Sequence, residues 1–285
     1  MDQVDRTGEL VRFPASGGAP DRIAVSSGAV RLGAALPLPD GRVLLPSLIA
    51  GRNRLLAVTP RQDPIPWLDT REETASPAAL VGTLEVAFLL GTPPEQTIAV
   101  ASIADGRIVR RLKGAKGVAI TSLAASPDGK TLYYTASGTV WAIPSADGDP
   151  RKIHAGDAVA ADPRGPDLIV KLQEKEGIRL VRIPLSGGQE QPIPVQGEFR
   201  LTPLALSPSA VGKDGRIVLG VSVRDSWYWP PAILDPATGK VERIPMYEAD
   251  YDFPGWTSDG RIMAVALPVR SGIWRFRPAA PPKAP

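Results

Sequence analysis

The chain has 285 residues, 43% of them hydrophobic, with a formal net charge of +3, no cysteine and one histidine. This composition excludes disulfides, thiolate chemistry, Cys-ligated metal and any site that needs two histidines. The small, mixed charge gives no footing for nucleic acid or a membrane surface, so neither is expected as a partner.

Met1 is followed by the polar stretch Asp2-Gln3-Val4-Asp5-Arg6, so no secretory leader is expected, and no apolar run reaches membrane-spanning length. The first strand motif is Leu10-Val11-Arg12-Phe13-Pro14, which alternates apolar and polar side chains. It stops at a proline that cannot extend a ladder and turns on Gly17-Gly18. A second strand, Asp21–Val25, follows it.

Pro39-Asp40-Gly41-Arg42 then introduces a different signal, a two-residue hairpin turn in which Gly gives φ > 0 freely and Asp tolerates it. The stretch from about Asp69 to Lys113 is the least regular. Residues 83–90 read plainly as a strand, but Ser76-Pro77 before them lacks an Asp-Gly.

The clearest unit comes next. Ala125-Ser126-Pro127-Asp128-Gly129-Lys130 leads into the apolar strand Thr131-Leu132-Tyr133-Tyr134, then Val140-Trp141-Ala142-Ile143-Pro144, a turn at Gly148 and a strand at 151–153. His154 is expected in the loop that follows. A worn copy of the turn, Asp162-Pro163-Arg164-Gly165, precedes Leu180-Val181-Arg182-Ile183-Pro184, Gly187-Gly188 and a strand at 191–195. The Asp-Gly turn returns as Lys213-Asp214-Gly215-Arg216, before Ile233-Leu234-Asp235-Pro236 and a strand at 241–245. It returns again as Ser258-Asp259-Gly260-Arg261, between strands expected at 252–256 and 261–267. The motif at 273–277 reads as one more strand, and residues 279–285 as a disordered Pro-rich tail.

The turns recur at steps of about 44 residues, the length of one four-stranded β-propeller blade. Boundaries near residues 30, 70, 114, 155, 197 and 246 give five whole units, and combining the two chain ends gives a sixth. The expectation is an all-β, six-bladed propeller of antiparallel four-stranded blades, a single domain over 1–278, closed by strands from both termini and monomeric. One strand is surplus: either 273–277 displaces Leu10–Phe13, or the chain is excised from a longer propeller.

Little catalytic chemistry is legible. A Ser-His-Asp triad would have to use His154, and no Gly-x-Ser-x-Gly elbow is present. Asp147-Gly148-Asp149 lacks the Glu that completes a calcium loop, so it reads as a turn, and neither metal nor cofactor is expected. Glu248, Asp250 and Asp252 alternate in a loop that reads most simply as exposed and acidic.

The strongest binding signal is aromatic. Arg224, Asp225, Trp227, Tyr228 and Trp229 fall in the second-to-third loop of blade 5, and Tyr247, Asp250, Tyr251 and Asp252 in the loop entering blade 6. Both loops emerge on one face of a propeller, and Arg, Trp and Tyr concentrate binding energy at interfaces. The plainer alternative packs Trp227 and Trp229 between blades and Trp256 in the inner core.

The Ser126-Pro127-Asp128-Gly129-Lys130 unit with its Trp141 strand resembles the WD-like repeat of TolB-type β-propellers. Arg224-Asp225-Ser226-Trp227-Tyr228-Trp229, Leu234-Asp235-Pro236-Ala237-Thr238-Gly239 and Gly272-Ile273-Trp274-Arg275-Phe276-Arg277-Pro278 resemble the C-terminal propellers of bacterial receptor-like serine/threonine protein kinases. That resemblance implies a non-catalytic sensor or interaction module, extracytoplasmic, for a protein, peptide or glycan ligand. No glycine-rich phosphate loop or His-Arg-Asp loop is present, so no kinase chemistry can be placed on this chain. The alternative expectation is a propeller hydrolase or lyase using His154 as general acid/base, paired with Asp157 or Glu174.

Overall fold

The computed structural model describes residues 8–25, 33–224, 226–247 and 249–267. Within them the chain forms six sheets of four antiparallel strands, no α-helix and one short 3-10 turn, Lys113–Ala115. The sheets are the blades of a propeller. Blade 3 shows the pattern from inside to outside: Ser122–Ala125, Thr131–Ala136, Thr139–Pro144 and Arg151–Ala155.

Each blade is apolar on both faces. In the second strand of blade 2, Glu85–Leu90, Val86, Phe88 and Leu90 pack against blade 1, while Ala87 and Leu89 pack against blade 3. Period-2 geometry sends alternate side chains to opposite faces, so a run buried on both reads as continuously apolar. The six core clusters are the six interfaces between neighbouring blades.

The sixth blade combines the chain ends. Glu9–Phe13 pairs with Ile262–Leu267, so its order is Asp21–Val25, Glu9–Phe13, Ile262–Leu267, Asp250–Trp256. The N-terminal motif is therefore the third strand, and the competing assignment to 273–277 falls outside the described residues, as does the tail. Across the seam, Arg261 Nη1 reaches Asp21 Oδ2 at 2.8 Å, and the Phe13 and Tyr251 rings meet edge to face at 5.8 Å.

The Asp-Gly turns sit where the repeats put them. Gly129 has φ +71°, and a Cβ there would lie 2.8 Å from the Gly82 nitrogen, so the turn both needs glycine and packs against the preceding blade. Several expected boundaries shift, and the strands expected at 191–195 and 241–245 end at Ile193 and Arg243. The strand at 83–90 begins at Glu85, because Gly82, Thr83 and Leu84 form the turn. The inner strand of blade 6 begins at Asp250, not 252. His154 is not in a loop: the outer strand of blade 3 runs on to Ala155, with His154 opposite Val140.

The worn turn of blade 4 carries the most buried ion-paired carboxylate among the described residues. Asp162 is 2% exposed, and its Oδ2 lies 2.7 Å from both Arg164 Nη2 and Arg182 Nη1. Burial alone would raise its carboxyl, but hydrogen bonds from Arg164, then Arg182, outweigh burial and hold it at about 2. A depressed folded value adds stability above the unfolded value of 3.8 that is lost as pH falls towards 2. Asp162→Asn should therefore cost about 2 kcal/mol at pH 7. Denaturant titrations at pH 7 and pH 2 check this: the gap from wild type should close at pH 2, and an equal gap at both would refute the pairing.

Candidate functional site

Two regions offer binding geometry: the central channel and the loops over blades 5 and 6. The channel opens on both faces. On the Asp-Gly face a cavity of about 670 Å³ is ringed by first-turn residues of all six blades, among them Pro39, Gly82, Pro127, Pro163, Lys213 and Ser258. Trp256 lines this mouth half-buried, with the Arg216 guanidinium 5.6 Å over its ring, so it does not fill the inner core.

The opposite mouth encloses about 610 Å³ and is shaped by irregular inner strands. In blade 2, Ala75 faces Leu89 but Ala79 faces Ala87, so four residues forward take only two back and two are surplus. In blade 6 the same comparison of Asp252–Val265 with Gly255–Met263 leaves one surplus, and Phe253 in that bulge has φ +49°. In blade 5, Leu201 faces Val221 but Val211 faces Ile217, which leaves six. This insertion includes Pro203, Leu204 and Pro208, and Pro208 lines both mouths.

Blade 4 holds the insertion in place. Lys171, 4% exposed, donates from its ammonium to the carbonyls of Thr202 and Leu204, and Gln173 Nε2 donates to the Pro203 carbonyl at 3.1 Å. Burial pushes the Lys171 ammonium down to about 8, with the Asp157 charge pulling it back up. Sequence reading missed this arrangement. Its trace was the interval from Asp162 to Asp214, longer than that from Asp214 to Asp259.

The aromatic residues do gather on one face, but in different roles. The Ser226 Oγ accepts the Tyr228 amide at 3.1 Å, and Asp250 Oδ1 accepts the Trp229 amide at 2.9 Å, so the loop is fastened to blade 6. The Tyr251 amide donates to the Trp229 carbonyl at 3.2 Å. Trp227 is left 96% exposed beside exposed Arg224, while Tyr228 and Trp229 are half-buried. The plainer alternative of Trp227 packed between blades is therefore excluded.

Tyr247 is 37% exposed, and its carbonyl accepts the Tyr251 hydroxyl at 3.1 Å. Tyr251 itself is 1% exposed, packed between Phe13 and Tyr247, which corrects the expectation that it offers a surface. Asp252 is buried too, so the alternating carboxylates are not one exposed acidic loop. Asp225 and Glu248 lie outside the described residues.

His154 sits apart from both cavities. Its Nε2 lies 2.9 Å from Glu190 Oε2, and Arg179, bound to the same carboxylate, holds Glu190 below its ordinary range. Glu174 pairs with Arg179, and Asp157 accepts the Gln173 amide at 2.7 Å, so neither expected partner bonds His154. Asp147 accepts the Lys113 amide at 2.9 Å, a turn contact. Among the described residues no group of three or more His, Asp or Glu is placed to hold a metal ion.

No protein-family model and no curated protein matches the chain. Solved structures do. The putative TolB from Agrobacterium tumefaciens aligns with TM-score 0.71 at 15% identity, covering 93% of this chain and 100% of that one. The fold is that of the TolB-type β-propeller. TolB from Acinetobacter baumannii aligns with TM-score 0.55 at 16% identity, over 93% of this chain and 65% of that one. A gluconolactonase from Xanthomonas campestris aligns with TM-score 0.62 at 13% identity, over 91% and 95%. At these identities the likeness is one of fold. Because the same fold serves a gluconolactonase and TolB proteins, activity has to be argued from side chains.

The two roles of the aromatics separate by stability. Tyr251→Ala should cost about 3–5 kcal/mol, the range for truncating a large buried aromatic. Trp227→Ala should change stability by less than about 0.5 kcal/mol. Chemical denaturation of both variants checks this, and equal costs would mean Trp227 is packed in solution.

Proposed function

We propose that the chain is a non-catalytic interaction propeller that docks a protein partner on the face over blades 5 and 6. The observation that carries this reading is Trp227, 96% exposed on a loop whose backbone is fixed by Ser226 and Asp250. Exposing a large aromatic to water gains the fold nothing, whereas a Trp and an Arg displayed on one loop with a fastened backbone are the usual composition of an interface anchor. Arg224 and the edge of Tyr247 extend the same surface.

The resemblance of the 224–229, 234–239 and 272–278 segments to receptor-like kinase propellers supports placing this module on the sensor side of such a receptor. On that reading residues 1–278 form one domain and 279–285 a spacer. Against the enzyme alternative stands the setting of His154, whose ring is engaged by Glu190 and the Ala155 carbonyl on an outer strand. General acid/base work needs a group facing a bound substrate.

The test uses the immobilised chain, proteins from its native cell, and mass spectrometry of what is retained. Trp227→Ala should weaken capture of the identified partner by at least about thirtyfold, as for interface hot spots, with the melting temperature unchanged. His154→Ala should capture as wild type does. Undiminished capture by Trp227→Ala would sink the interface, and loss of a substrate's turnover in His154→Ala would put the enzyme in its place.

A further inference from the structure

We propose that the channel mouth opposite the Asp-Gly face is a binding site for a neutral sugar, separate from the Trp227 surface. Its volume of about 610 Å³ lies within the range of small-molecule sites. The wall is divided by chemistry. The polar side chains all come from blades 2 to 4, among them Ser76, Ser137, Asp157 and Gln173 beside the apolar Pro77 and Ile120, while blades 5 and 6 contribute apolar ones such as Leu204 and Phe253.

The polar half has unused capacity. The Ser76 and Ser137 hydroxyls make no hydrogen bond among the described residues. Asp157 spends Oδ2 on the Gln173 amide, leaving Oδ1, and Gln173 spends Nε2 on Pro203, leaving Oε1. The result is two hydroxyls that donate or accept and two further acceptors, arrayed around one wall, as a ring of sugar hydroxyls requires.

The apolar half is held out at a cost. A non-glycine residue at positive φ is uncommon, and a bulky aromatic there is an outlier of the kind that collects at ligand sites. Phe253 at φ +49° is half-buried at the mouth, where one surplus residue turns it into the channel lining. An aromatic ring suits the C–H face of a pyranose, whose hydroxyls then point across to the polar wall.

Charge selects against the alternatives. Among the described residues Asp157 is the only ionisable side chain in the lining, and none of them lines it with a cation. Lys171, behind the wall and bonded to Thr202 and Leu204, offsets that negative charge. Among the described residues the mouth therefore offers no free cation for an acidic sugar and little net charge for an organic ammonium.

The experiment is an array of neutral and acidic glycans probed with the full chain, followed by calorimetry on the best neutral glycan retained. Asp157→Asn keeps an acceptor for the Gln173 amide and should bind about tenfold more weakly; Phe253→Leu keeps bulk but loses the ring and should bind about fivefold more weakly. Trp227→Ala should bind as wild type, which separates this site from the interface. Amide shifts of the wild-type protein with that glycan should centre on residues 76, 137, 157, 173 and 253, a readout independent of how the variants fold. The proposal is overturned if no glycan is retained, if acidic glycans are preferred, if either mouth variant binds like wild type, or if the shifts centre elsewhere.

Discussion

Every blade of this propeller is a sheet that is apolar on both faces, and that constraint organises the rest of the molecule. Such a sheet has no solvent side, so a row of them must either continue or close on itself. Six blades close here, each core cluster being shared by two neighbours, including the one between blades 6 and 1. The closing blade takes two strands from each end of the chain. Opening that seam would strip Leu10, Val11 and Phe13 from two inter-blade cores at once.

The same constraint decides where irregularity can be carried. Second and third strands are paired along both edges, whereas an inner strand has one edge free along the channel. The inner-strand bulges of blades 2, 5 and 6 all shape the mouth opposite the Asp-Gly turns, and the other register shifts, in blades 2, 3 and 6, fall on outer strands, which also have a free edge. Lys171 shows how the largest departure is held: a buried ammonium is costly unless it is hydrogen-bonded, and the inserted carbonyls supply the partners. Outer strands are free at the opposite edge and face solvent, and there His154 meets Glu190 and the Ala155 carbonyl.

The blade count and the turn positions were legible because they are local: an Asp-Gly hairpin and a Pro-terminated alternating strand announce themselves within a few residues. What depended on long-range register was not. Two motifs, at residues 10–14 and 273–277, compete for one place in blade 6, and only pairing with Ile262–Leu267 puts Glu9–Phe13 there. Tyr251 read as a loop residue because the inner strand seemed to begin at Asp252. Its true start at Asp250 lets pairing with Ala266 carry Tyr251 into the core, leaving Trp227 as the most exposed aromatic among the described residues. His154 was misplaced for the same reason, the strand running two residues beyond Ile153. The blade 5 insertion had no motif of its own, since surplus residues are visible only once both strands are paired.

Native-state hydrogen exchange tests closure most directly. If the seam is as integral as any other blade, hydrogen-bonded amides of Glu9–Phe13 and Ile262–Leu267 will exchange only through global unfolding, with the same free energy as those of Thr131–Ala136 in blade 3. Exchange of the seam amides at a distinctly lower free energy, while blade 3 stays protected, would contradict a ring whose stability depends on joining its two ends.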